Sequence, residues 1–282
     1  MFTGDNAITT IGTEKTTKIS LNVDGGGTNV YGINTGKNAN ATLQAKTVSI
    51  IANGNSSNPV KGISSSSNTS VIAENAELNV SGESGANGIE FSTSNGNVSM
   101  QVKNKLAINV DGKNKSGTAI TGSYGKVNLI ADVLDISAKG KTANVVNAQK
   151  NTIVELGKGA NNVSLTAIGA EEAYVIQDYK NPANIKIGED AKNINITSEA
   201  GKIAHGISLA SGTNLTMGGA DTDISIKAHS SGEAIGILNM QEFNGKTGGS
   251  VTNINGKSLS IDAVSDTNDS IGIHVQNSST TA

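Results

Sequence analysis

The chain has 282 residues and a mass of 28.5 kDa; it is 35% hydrophobic and 16% charged, with 34 glycines and a formal net charge of -3. It contains no arginine, so it lacks the dense basic footprint that nucleic-acid binding needs. Zero cysteines remove disulfide scaffolds, thiolate zinc sites and cysteine nucleophiles together, and no apolar run approaches the roughly 18 residues of a membrane-spanning helix.

In chain order, residues 1–12 carry neither the basic nor the apolar stretch of a signal peptide. The first predicted strand alternates Ile19, Leu21 and Val23 with polar residues, a period of two that marks a strand with one buried face. A glycine-rich turn from Asp24 to Gly27 follows, and then the dipeptide Gly32-Ile33. This dipeptide returns at Gly62-Ile63, Gly88-Ile89, Gly206-Ile207, Gly236-Ile237 and Gly272-Ile273, with Ala119-Ile120, Val145-Val146 and Val175-Ile176 filling the gaps. Successive anchors lie 30, 26, 31, 26, 30, 31, 30 and 36 residues apart, which is a repeat.

Two further apolar clusters recur between anchors. One follows its anchor at Leu43, Val71, Val98, Leu129, Val154, Ile185 and Leu215. The other precedes the next anchor and alternates strictly, as in Val48-Ile50-Ala52, Leu106-Ile108-Val110, Val163-Leu165-Ala167, Ile224-Ile226-Ala228 and Leu259-Ile261-Ala263. The turns between them are rich in Gly, Asn, Ser and Asp, which tolerate left-handed backbone. No helix-period stretch is long enough for a crossover helix, so a βαβ architecture is not expected. Three strand types in fixed order at one period predict an all-β fold, a right-handed parallel β-helix of about nine coils of roughly 30 residues.

In that fold Leu21, Ile50, Leu78, Ile108, Ile136, Leu165, Ile196, Ile226 and Ile261 form one aliphatic column. With 2% aromatics, the core is stacked from small side chains. A rise of about 4.8 Å per coil makes a rod on the order of 45 Å long. Both ends fall mid-repeat, so residues 1–282 are expected to be a single segment of a longer rod, with uncapped edges that invite self-association.

The Gly-Ile anchor, the polar turns and the missing cysteines together resemble the passenger domains of Gram-negative autotransporters. The carriers are segments such as Val60-Lys61-Gly62-Ile63, Ala204-His205-Gly206-Ile207 and Ser270-Ile271-Gly272-Ile273, and the likeness covers residues 19 to 276. It implies a non-enzymatic adhesin or rigid stalk displayed from the outer membrane. The partner it implies is a host or neighbouring-cell surface glycan or protein, and any membrane contact runs through a C-terminal β-barrel outside this chain. The alternative is a secreted carbohydrate-active β-helix whose catalytic coils lie outside the segment.

Glycosidic hydrolysis wants two neighbouring carboxylates. The outward residues after the anchors are Asn34, Ser64, Glu90, Thr121, Asn147, Gln177, Ser208, Leu238 and His274, and Glu90 is the single acid among them. Lyases of this fold commonly use an arginine base, which is missing. Asp132 with Asp135 and Asp221 with Asp223 read as solvated turn residues, and His205, His229 and His274 are off register for a shared metal. No catalytic residue, cofactor or metal is expected. The sequons at Asn40, Asn55, Asn68, Asn79, Asn162, Asn195 and Asn214 are what an Asn-, Ser- and Thr-rich chain produces by chance, and an ice-binding threonine ladder fails because outward positions are mixed.

One coil departs from the rule: Val251 follows its anchor Ile237 by 14 positions, where most coils have 8 to 10. Insertions in a solenoid map to loops, and loops on a rigid scaffold often carry binding. Met240, Glu242, Phe243 and Lys246 are therefore the candidate binding loop, against the plainer reading that a loop simply grew. Tyr124, Tyr174 and Tyr179 lie near anchors as candidate sugar-stacking platforms, or as packing on coil edges.

Overall fold

The computed structural model describes residues 1–91, 93–178, 182–210, 212–240, 242–243, 246–247 and 249–276, with backbone alone for 242–243, 246–247 and 276. Among the described residues there is no helix. Every strand pairing is parallel except a two-residue hairpin, Glu242–Phe243 with Lys246–Thr247. The fold is a parallel β-solenoid, as the repeat predicts.

Each coil runs through an anchor strand, a second strand and a third strand, and each stacks on its counterpart one coil away. The third-strand register places Leu21 on Ile50, Ile50 on Leu78, Leu78 on Ile108 and Ile108 on Ile136. The column continues through Leu165, Ile196 and Ile226 to Ile261, matching the predicted list at every step. The anchors stack equally well, from Ile33 on Ile63 to Ile237 on Ile273. A single apolar cluster runs from Ile19 to Ile237, and most of its members are fully buried. Stacked branched aliphatics are the principal favourable term, because each removes its whole side chain from water.

The second-strand column requires a correction. Leu43, Val71 and Leu129 share one column, which continues through Met100 to Leu156, Ile187 and Met217. Val98, Val154, Ile185 and Leu215 belong to its neighbour, two residues away. A two-residue slip keeps every side chain on the same face, so alternation alone does not distinguish the registers.

The expectation of three short strands per coil also fails locally. In Asn40–Gly54, Asn68–Gly82 and Asn97–Asp111 the second and third strands run on as one 15-residue strand. In Val133–Gln149 and Asn162–Asp178 it is the third strand that continues into the next anchor.

One aromatic sits inside. Phe91 is fully buried, stacked between Ser65 and Gly122. A Cβ at Gly122 would lie 2.3 Å from the Phe91 ring, so the ring's space exists because its neighbour has no side chain.

Candidate functional groove

At each Gly-Ile step two successive residues face inward. Gly62 is buried with its missing Cβ directed at Leu78 and Val80, and Ile63 is fully buried. A strand that keeps two adjacent residues inside must bend, and the outward residues on either side of the bend then lean together. In a flat strand residues i and i+3 point to opposite faces. Here Asn87 Nδ2 donates to Glu90 Oε2 at 2.6 Å across the Gly88-Ile89 step. The anchor strands therefore line a concave groove along the outside of the rod.

One wall is the column Tyr31, Lys61, Asn87, Thr118, Asn144, Tyr174, His205, Ile235 and Ile271. The other is Asn34, Ser64, Glu90, Thr121, Asn147, Gln177, Ser208, Leu238 and His274, the post-anchor residues read from the sequence. Of the first wall, Tyr174 and His205 are singled out from sequence without being joined in a column; its signal is a polar or aromatic residue three positions before the one noted, from Tyr31 to His205, with Ile235 and Ile271 in the last two coils.

The groove differs along its length. In the N-terminal coils its walls are half-buried. Lys61 Nζ lies 2.5 Å from Glu90 Oε1 and 5.6 Å from the centre of the Tyr31 ring, so Glu90 holds a lysine on one oxygen and an asparagine on the other. Towards the C-terminal coils larger side chains fill the groove. Tyr174, Gln177, His205, Ser208, Ile235 and Leu238 are all buried, although they lie on the outer face. The His205 ring meets Tyr174 edge-on with centroids 5.3 Å apart, and His205 Nε2 lies 2.7 Å from Glu233 Oε1. Burial pushes the His205 imidazole below its ordinary pKa, opposed in part by the Glu233 hydrogen bond and by the charges of Glu233 and Glu172. Asn144 Oδ1, His205 Nδ1 and Ser208 Oγ are buried without a hydrogen-bond partner among the described residues.

The sequence-derived candidates do not converge on one place. Met240 ends the anchor strand Glu233–Met240. Glu242 and Phe243 oppose Thr247 and Lys246 in the short hairpin, and the side chains of Glu242, Phe243 and Lys246 lie outside the described residues. Tyr124 is 43% exposed with a left-handed φ of 65° and Lys150 Nζ 5.8 Å over its ring; Tyr174 lies in the groove; Tyr179 lies outside the described residues. His229 is exposed beside Asp266 at 3.6 Å. Asp132 accepts from Asn161 in a turn, Asp135 faces Lys105 at 3.6 Å, and Asp223 accepts from Ser258 at 2.6 Å. Among the described residues no three metal-ligating side chains gather.

Several sequon asparagines form inter-coil amide ladders instead. Asn68 donates to Asn40 at 2.8 Å, Asn109 to Asn79 at 2.9 Å, Asn195 to Asn162 at 3.2 Å and Asn214 to Asn184 at 3.3 Å. Comparison with family models, with curated proteins and with solved structures finds no match for this chain.

Proposed function

We propose that this chain is a surface-exposed, non-enzymatic segment of an autotransporter-like passenger, serving as an adhesin or a rigid stalk. The observation that carries the reading is the unbroken register of the aliphatic column from Leu21 to Ile261. Each coil contacts mainly its neighbours, so order propagates from coil to coil and the product is a stiff spacer. A chain without cysteine suits export in an unfolded state, since no disulfide can form before folding. Exposed apolar residues on the terminal strands, Ile8 at one end and Val275 at the other, fit end-to-end self-association in the isolated chain.

The test is antibody labelling of intact cells of the source organism, with protease shaving of the same cells. Labelling of intact cells, lost on shaving, is expected; labelling only after lysis would overturn surface display. The carbohydrate-active alternative has one observation in its favour, the His205–Glu233 pair in the groove. Release of reducing or unsaturated ends from polysaccharides by the full-length protein would establish it, and loss of that release in His205→Ala would place it here.

A further inference from the structure

The Lys61, Asn87 and Glu90 side chains meet in an arrangement that ordinary ion pairing does not require. Lys61 and Asn87 are direct neighbours in register on adjacent coils and share the same groove wall. Glu90, three residues beyond Asn87 across the bend, holds the lysine Nζ on Oε1 at 2.5 Å and the asparagine Nδ2 on Oε2 at 2.6 Å. A nucleophile, an acyl group with a nitrogen leaving group, and a carboxylate touching both are the parts of an amide exchange. The side chains of Lys61 and Glu90 are only 21% and 23% exposed, and the centre of the Tyr31 ring lies 5.6 Å from Nζ, so the pair is partly screened from bulk water.

We propose that Lys61 and Asn87 become joined by an intramolecular isopeptide bond, with Glu90 as the proton carrier. Glu90 takes a proton from the Lys61 ammonium, and the freed lone pair attacks Asn87 Cγ. The new C–N bond forms as the carbonyl π pair moves to Oδ1. Glu90 then delivers its proton to Nδ2, the carbonyl re-forms and the C–Nδ2 bond breaks. The leaving nitrogen departs as ammonia and the second proton lost from Nζ passes through Glu90, so the products are an amide and an ammonium ion. No oxidant, metal or second substrate enters the balance. Glu90 supplies what an unassisted amine and amide lack in water, because it already holds the Lys61 ammonium on one oxygen and the Asn87 amide on the other, on two stacked strands. The bond would tie one coil to the next in a chain that has no disulfide to do so.

Intact-mass spectrometry of the purified full chain, after incubation at neutral pH, tests this. The expected mass is about 17 Da below that of the sequence, one ammonia lost, and tryptic digestion should give a branched peptide linking Lys61 to Asn87. A full mass with linear peptides cleaved after Lys61 overturns the proposal. Asn87 precedes Gly88, so succinimide formation would also release ammonia. The two are told apart by the digest of the parent chain: a mass loss with no Lys61–Asn87 branched peptide overturns the crosslink, and the branched peptide should be gone in Lys61→Arg. Glu90→Gln keeps a side chain able to accept from Asn87 but removes the proton carrier. It should retain the dichroism of the parent and show no crosslink, and a crosslink that still forms in it refutes the role of Glu90.

Discussion

The same core is carried round the corner between second and third strands in two ways. In Asn40–Gly54, Asn68–Gly82 and Asn97–Asp111 the strand runs unbroken through the corner: consecutive outward polar residues, such as Lys46-Thr47 and Glu74-Asn75, let the chain turn while both arms stay paired. Between Val154 and Ser230 the corner is a glycine turn. Gly157, Gly188 and Gly218 have φ of 64°, 61° and 76°, and Ala160 and Ala191 close their turns by donating to Gly157 and Gly188 oxygens at 3.2 and 2.9 Å. Val163, Ile194 and Ile224 from the third strand pack within 2.4 to 2.9 Å of where the glycine Cβ atoms would be. The difference teaches that the aliphatic columns specify the coil, while corner residues choose how the backbone turns.

The largest expected effect ignores the distinction. Ile108→Asp in the continuous half and Leu165→Asp in the glycine half each bury an unpaired carboxylate in the common column, costing more than about 4 kcal/mol. Both should lose far-ultraviolet dichroism and cooperative melting; if only one does, the two halves do not share a core.

A smaller effect separates the halves. Gly188→Val forces a branched residue into left-handed backbone against Ile194, for about 1–3 kcal/mol from the backbone alone. Glu74→Val, at the equivalent corner of the continuous half, should stay within about 0.5 kcal/mol because the site is exposed. Denaturant midpoints of the two variants check this, and equal losses would sink the account of the corners.

Acid should loosen one half before the other. The folded pKa of His205 lies below its unfolded value of about 6.5, so its stabilising contribution is complete above that pH. It is lost as pH falls through the unfolded value towards the lower folded one, because the unfolded chain then binds the extra proton. Amide protection factors in Ile203–Leu209, referred to the intrinsic exchange rate at each pH, should fall from about pH 7.5 to about pH 5, while those in Asn68–Gly82 hold. His205→Gln should abolish the difference.

The smallest effect concerns the outer ion pairs. Lys105→Ala, which breaks a well-exposed pair with Asp135, should cost about 0–1 kcal/mol, and less in high salt. A thermal melt at two ionic strengths measures it.

Much of this is legible in the sequence. Six Gly-Ile dipeptides and three similar apolar pairs at a recurring interval placed all nine anchors in register, from Ile33 to Ile273, and strict alternation placed Leu21 through Ile261. Periodicity succeeds there because a buried branched residue has no equivalent position outside the rod. The candidate site was barely legible. Glu90 was noticed as the lone acid of its column, yet its partners come from the previous coil and from across a bend.

The sequence by itself determined a parallel coil, its pitch in residues and the identity of its core, since these follow from which side chains must leave water. Only the tertiary structure decided the second-strand register, because a two-residue slip leaves every face unchanged. It alone decided where strands fuse, which depends on whether a corner can stay paired. It also made the groove: two inward residues in succession bend the strand, and only the bend brings Glu90 round to Lys61 and Asn87.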